Sequence, residues 1–524
     1  MRSARLLWQI AAALWRSGLL RLSPWMAARA FGAWWRCGNT YAALAEIAAL
    51  RFPDRCALHD GAGPMTFAVL HAQSEGLAAA IANARGCGSK IRVGLLCGND
   101  RGFVLGLLAL GRLGADVLPL DADSPGPALR RALEGQPVDW VLHDPALGSL
   151  LAEHLPSQPR HALDDLRPES AGPTALPRVR RAGKLIVLTS GSTGAPKGVG
   201  RAPTLSSLLP PLAGLLDDLP LAMHRPAVLA IPLHHGYGLT TLAMTLAMAA
   251  PLHLARRFEI GPMCARLGPL GAGPAADASP VIVSVPTLLG RWLRAGIDPS
   301  VHPAAVITGS APLDPTLCAQ LLDALGPVLF NLYGSTEAGV MALATPRALR
   351  EAPGTVGTPL PGTAITVVDG QGAPVAPGEI GAIRVRGPLV LEPDARGGFD
   401  TGDLGRFDAQ GRLFVCGRTD AMFISGGENV YPEETVRALR AHPLVADAAV
   451  SVVPDPEFGQ GMRAHVVIRG GAAVDAAELR DWLRARIARA QLPRELHLIE
   501  QIPRNALGKV DRVALEALSA KQSA

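Results

Sequence analysis

From about Tyr41 to Ala250, short apolar runs alternate with longer stretches of helical period. The runs include Ile91 to Leu96, Lys184 to Leu188 and Ala227 to Ile231. Val281 to Val285, Ala305 to Thr308 and Val328 to Leu332 continue the series. Each run is apolar along its length rather than every second residue, as in strands covered on both faces. Strands of that kind alternating with helices predict parallel α/β layers. The texture changes after Gly354. Ala364 to Val368 and Ala382 to Arg386 flank glycine-rich turns, and Gln410-Gly411 separates two β-like runs, which predicts antiparallel sheet. Beyond about residue 420, strands at Ala448 to Val453 and Ala464 to Ile468 precede an amphipathic helix over Ala476 to Ala490. The expected fold is α/β. A large domain of layered sheets with a barrel-like β appendage spans 41–419, and a small mobile α+β domain spans 420–524. Proline- and glycine-rich stretches at 166–183 and 266–280 are expected to be exposed connections.

The first 40 residues follow another pattern. No acid precedes Glu46, while Arg2, Arg5, Arg16, Arg21, Arg29 and Arg36 punctuate the segment. Trp8, Trp15, Trp25, Trp34 and Trp35 also fall here, and Trp8 and Trp15 share one helical face. The apolar runs are too short to span a bilayer, and no signal-peptide cleavage pattern follows. Two readings stay open: a helix lying in a membrane interface, or one packed on the protein with its Trp residues as core.

Composition narrows the function classes. A chain of 524 residues with 48% hydrophobic residues can build several cores and is not disordered. A net charge of +5 is too mild to argue for a nucleic-acid partner. Seven cysteines without a C-x-x-C pair are simplest as reduced thiols of a cytoplasmic protein, with peripheral membrane attachment open. Only five Lys stand against 45 Arg, so a Lys at a motif position points to a need for a compact ammonium.

The most informative segment is Leu188 to Val199, Leu-Thr-Ser-Gly-Ser-Thr-Gly-Ala-Pro-Lys-Gly-Val, which follows a strand. Gly191, Gly194 and Gly198 allow close backbone approach, and Thr189, Ser190, Ser192 and Thr193 supply hydroxyls. Successive N–H groups with Lys197 make a natural phosphate loop. It is not a Walker A loop, because Pro196 precedes the Lys and Gly198 follows it.

This string resembles the signature of the adenylate-forming superfamily: acyl-CoA synthetases, peptide-synthetase adenylation domains and firefly-type luciferases. Further matching segments follow in the family's order. They are Pro232 to Tyr237, Gly309 to Leu313, Asn331 to Glu337, Thr401 to Leu404, Gly417 to Asp420, Ser425 to Pro432 and Pro503 to Lys509. The resemblance spans roughly residues 42–515 and is closest to bacterial fatty acyl-CoA synthetases.

The resemblance implies ATP, Mg2+ and coenzyme A as cofactors, and a role for each matching residue. Thr189 to Lys197 would hold the β- and γ-phosphates, and Gly309, Ser310, Ala311, Tyr333, Gly334 and Ser335 the adenosine. Thr336 would meet the α-phosphate and Glu337 the Mg2+, although Glu337 also reads as an acid opening a helix. Asp403 would clamp the ribose, and Arg418 would pair with the phosphate or the ribose. His235 would lie by the acyl carboxylate, with Tyr237 and Gly334 in the acyl pocket. Lys509 would bridge carboxylate and α-phosphate. Asp420 would be the hinge, and Gly426 and Gly427 would line the CoA channel. Gly334 stands where acetate-specific relatives carry a Trp, so a larger acid is implied. A medium- or long-chain fatty acid comes first and an aryl or alicyclic acid second. The acceptor is CoA or, alternatively, the arm of a separate carrier protein. A nucleotide-binding or membrane-attached protein without catalysis is the reading of another class. One departure stands out: Leu389 to Gly398 is shorter than the family's segment and lacks its Gly-Tyr.

Overall fold

A computed structural model describes residues 2–85, 91–124, 126–166, 176–189, 197–201, 204–256, 279–298, 301–395, 397–419, 423–425, 428–430, 432–455, 459–470, 474–487, 491–505, 508–511, 514–515 and 517–518. Of the predicted connections, 167–175 and 266–278 lie outside them.

Two large sheets form the main body. In the nine-stranded sheet, Leu329–Ser335, Ala305–Gly309, Val281–Ser284, Ala227–Leu229, Leu252–His253 and Cys56–Asp60 run side by side and parallel. Antiparallel strands close both edges. The six-stranded sheet carries Arg92–Leu96, Asp116–Pro119, Trp140–His143 and Leu185–Thr189 in parallel, with Lys197–Arg201 antiparallel at its edge. All four residues of Val281–Ser284 are buried, as expected for a strand covered on both faces. One core joins the sheets through Phe67, Phe103, Leu108, Leu229, Leu242 and Val283.

A four-stranded antiparallel sheet follows, built from Ala364–Val368, Gly381–Arg386, Phe399–Phe407 and Leu413–Arg418. The last segment pairs Val445–Asp455 with Gly459–Ile468 and adds Glu495–Leu498 in parallel. Leu439, Ala464, Val466, Leu479 and Leu483 give it a core of its own. Its helix is described over Ala476–Arg484, capped by the Asp475 side chain.

The fold places the motifs at carboxyl ends of parallel strands. Segments leave there after Leu229, Gly309, Ser335 and Thr189. In open α/β sheets this is the edge where ligands bind.

Candidate active site

A cleft of about 2630 Å3 runs between the sheets and the C-terminal segment. His235, Tyr237, Ser310, Ala311, Tyr333, Gly334, Ser335, Thr336, Glu337, Asp403, Arg418 and Lys509 all line it. Gly309 lies just behind, where a Cβ would come within 2.6 Å of the Leu332 carbonyl oxygen. Thr189 ends one strand and Lys197 begins its antiparallel partner, opposite each other in register. Ser190, Gly191, Ser192, Thr193, Gly194, Asp420, Gly426 and Gly427 lie outside the described residues.

Asp403 is fixed from two sides. Strand register sets it directly opposite Arg418, whose Nη1 donates to Asp403 Oδ1 at 3.3 Å. Tyr333 Oη, reaching from the large sheet, donates to Oδ2 at 2.6 Å. Gly402 makes the approach possible: its φ is 70°, and a Cβ there would stand 2.9 Å from Arg418 Nη2. Burial raises the Asp403 pKa, and Tyr333 and Arg418 oppose that rise.

Thr336 and Glu337 occupy the hairpin turn between Leu329–Ser335 and Gly339–Ala344, so Glu337 does not open a helix. The turn is held by Ser335 Oγ, which accepts from Ala338 N at 3.1 Å. Arg201 braces it from behind. Its Nε donates to the Thr336 carbonyl, and its Nη2 donates to the Leu389 carbonyl at 3.2 Å. Leu391 N in turn donates to the Glu337 carbonyl at 2.9 Å. The shortened Leu389 to Gly398 segment is therefore pinned onto the Glu337 turn. Burial lowers the Arg201 pKa, while the Glu337 charge acts the other way. Arg201 drew no notice in the sequence because arginine is so common there. If its fork holds the turn, Arg201→Ala is expected to slow adenylate formation roughly tenfold, and Arg201→Lys to recover little of that. Steady-state pyrophosphate release checks this; full activity in the Lys variant would contradict the bracing role.

Lys509 enters from the C-terminal segment. Asn505 builds its turn: the Asn505 side chain accepts from Lys509 N at 3.0 Å, and Asn505 N donates to the Lys509 carbonyl at 2.8 Å. Arg504 donates to the Gly508 carbonyl at 2.7 Å and to Asp447 at 2.6 Å, tying the turn to its own sheet. Thr287 Oγ1 of the main body donates to the same Gly508 carbonyl at 3.3 Å. Burial lowers the Lys509 pKa; Asp403 and Glu337 lie near enough to favour its charge, and Arg418 near enough to oppose it. Arg504 and Asn505 lie in the matching string without a role of their own there, and Asp447 escaped notice because it stands fifty-seven residues from Arg504.

His235 stands at the N-terminal boundary of the helix Gly236–Ala247, and its ring centroid lies 4.0 Å from that of His234. Asn99 Oδ1 accepts from Leu233 N at 2.8 Å and holds the loop. Burial, with His234 and Lys509 nearby, pushes His235 down to about 2, so it is neutral at neutral pH. Unfolding restores the ordinary value of 6.5. Between these values the unfolded chain binds a proton that the folded chain refuses. The contribution of His235 to stability is therefore full above about pH 6.5 and is lost progressively as pH drops below it. His235→Gln is expected to flatten this acid slope in urea titrations; an unchanged slope would contradict it.

Beside Gly334, a Cβ would lie 2.6 Å from the Gly339 carbonyl oxygen, so the tight hairpin also demands glycine there. Tyr237 Oη donates to the Ile307 carbonyl at 3.1 Å. Ser310 adopts φ 64°, a left-handed conformation costly for a residue with a Cβ.

Comparison with known proteins agrees with this convergence. Residues 45–392 match the AMP-binding enzyme family, and residues 437–509 match the AMP-binding enzyme C-terminal domain. The chain belongs to the AMP-binding, adenylate-forming enzymes. It is 31% identical to feruloyl-CoA synthase of Amycolatopsis sp, over 87% of this chain and 94% of that one. It is 30% identical to human mitochondrial malonate–CoA ligase, over 89% and 90% of the two chains. The solved structure of o-succinylbenzoate CoA synthetase from Bacillus subtilis, in complex with its acyl-adenylate, superposes with a TM-score of 0.79 at 26% identity. That match covers 90% of this chain and 97% of the other. This adenylate-forming enzyme is accordingly an ATP-dependent, AMP-forming acid–thiol ligase that joins a small carboxylic acid to CoA, with ATP and Mg2+. The named relatives act on aryl and dicarboxylic acids, so their names do not carry the fatty-acid expectation.

The donor set suits Mg2+. Among the described residues no group of three or more His, Cys, Asp or Glu could cage a metal. Mg2+ is commonly held by one or two carboxylates, with substrate phosphates and water completing its shell.

Proposed function

We propose that this ligase activates an apolar acid larger than acetate, a medium- or long-chain fatty acid being the first choice, and transfers it to CoA. The observation that carries the reading is one cleft lined both by the charged groups Asp403, Glu337 and Lys509 and by apolar side chains such as Leu212, Met244 and Met248. An aryl acid is the second reading, favoured by the feruloyl and succinylbenzoate relatives.

In this reading the Thr189 to Lys197 loop cradles the β- and γ-phosphates. Gly309, Ser310, Ala311, Tyr333, Gly334 and Ser335 surround the adenosine, and Asp403 accepts from the ribose hydroxyls with Arg418 holding it. Thr336 meets the α-phosphate. Glu337 would hold Mg2+, which when bound offsets phosphate charge. His235, Tyr237 and Gly334 border the acid. The acid's carboxylate oxygen attacks the α-phosphorus, and the bond to pyrophosphate breaks. Lys509 places its ammonium where negative charge gathers between the reacting oxygens. The C-terminal domain then turns about Asp420, and Gly426 and Gly427 line the path of the CoA thiol. That thiol attacks the acyl carbon and releases AMP. A carrier-protein arm would use the same path, and the basic, Trp-rich residues 1–40 would touch a membrane.

The test is pyrophosphate release across alkyl and aryl acids of increasing size, with CoA or a carrier protein as acceptor. A rate rising with alkyl length and thioester formed on CoA are expected. Preference for acetate would overturn the substrate reading.

A further inference from the structure

The helices Arg2–Arg16 and Pro24–Cys37 turn their largest apolar side chains outward. Leu6, Ile10 and Ala13 pack on Ala213 and Leu216 of the main body, while Trp8 and Trp15 on the opposite face are 70% and 59% exposed. The tryptophans are therefore not core. Trp25 and Phe31 follow at 63% and 62%. Of the fourteen exposed large hydrophobic residues among those described, eight fall within residues 7–35. Such a concentration marks an interaction surface rather than scattered exposure.

Its charge identifies the partner. No acid occurs before Glu46. The acids beneath are engaged, Asp217 by Arg16 and Glu46 by Arg36. Arg29 lies over the Trp25 ring at 4.6 Å, and Arg178 over Trp35 at 4.0 Å. Exposed indoles beside guanidinium groups match the boundary between acyl chains and anionic headgroups. Among the described residues no helix is long and apolar enough to cross a membrane, so the contact would be peripheral.

A second observation joins this surface to the active site. Phe31 and Trp34 are exposed, yet both also line the cleft that holds Lys509. Residues that face solvent and cleft together form its mouth. We infer that the N-terminal helix pair docks on an anionic lipid surface and that the apolar acid enters from the bilayer past the packed rings of Phe31 and Trp34. This rests on the apolar-acid reading above.

The test is co-sedimentation of the full chain with vesicles of phosphatidylcholine alone or mixed equally with phosphatidylglycerol. Binding to the anionic vesicles is expected, weakening with salt. Trp8→Ser with Trp15→Ser should reduce partitioning roughly tenfold per inserted ring. Both positions are exposed and outside the cleft, so the melting temperature and the rate on a water-soluble acid should hold. Turnover of a fatty acid supplied in anionic vesicles should fall with binding. Equal partitioning of both proteins would overturn the inference, as would a dimer in light scattering that the double substitution dissolves. Failure of the unsubstituted chain to bind anionic vesicles, with its soluble-acid turnover intact, would remove only this inference. Vesicle binding without turnover of any acid would remove the substrate reading instead.

Discussion

Lys509→Ala is expected to slow acyl-adenylate formation by about 10²–10³-fold, the usual cost of deleting a group placed at developing charge. Thioester synthesis from supplied acyl-adenylate and CoA should be spared, because the bond to phosphorus has already formed. Quenched single-turnover assays of each half-reaction separate the two. Equal loss of both would mean that the substitution disturbs the fold or that Lys509 acts elsewhere. The pH dependence carries a sign. Burial lowers the Lys509 pKa, so its ammonium is lost at a lower pH than in a free lysine. The adenylation rate should fall on the alkaline side earlier than an exposed lysine would allow. The supplied-adenylate reaction should lack that limb.

Asp403→Ala is expected to raise the apparent KM for ATP by about 10²–10⁴-fold. Two hydrogen bonds to a charged acceptor are worth about 1.5–3 kcal/mol each, and each 1.4 kcal/mol is about tenfold. Because the ribose is bound alike before and during reaction, kcat should change less than KM. Tyr333→Phe should cost less, since it removes only the donor at 2.6 Å that orients the carboxylate. ATP titrations at saturating acid read both effects. An unchanged KM in the Ala variant would remove Asp403 from the nucleotide site.

Much of the fold was legible because buried parallel strands leave a simple trace. Val281–Ser284 and Ala305–Gly309 are apolar along their length since helices or sheet cover both faces. Strand order was not legible: Ala227–Leu229 lies beside Val281–Ser284, about fifty residues on, and periodicity carries no such information. The helix predicted to Ala490 is described only to Arg484, where N–H groups of the next turn double back to the Leu483 carbonyl.

At the site, residues inside short strings could be located, but the groups that orient them could not. Tyr333 and Asp403 stand seventy positions apart, yet one hydrogen bond joins them. Arg504 and Asp447 are fifty-seven apart and pin the Lys509 turn. Arg201 was hidden by its own abundance. The first helix shows a different limit. Its two faces are both apolar, so spacing alone put Trp8 and Trp15 together without saying which face the body would cover. Packing on Ala213 made that choice.

The most direct measurement is a crystal structure of the enzyme soaked with an acyl-adenylate analogue of an apolar acid. The ribose hydroxyls are expected on Asp403, the phosphate oxygens within reach of Thr336 and the Lys509 ammonium, and the acyl group beside Tyr237 and Gly334. Nucleotide bound away from Asp403, or an acyl group placed away from Tyr237 and Gly334, would contradict the arrangement.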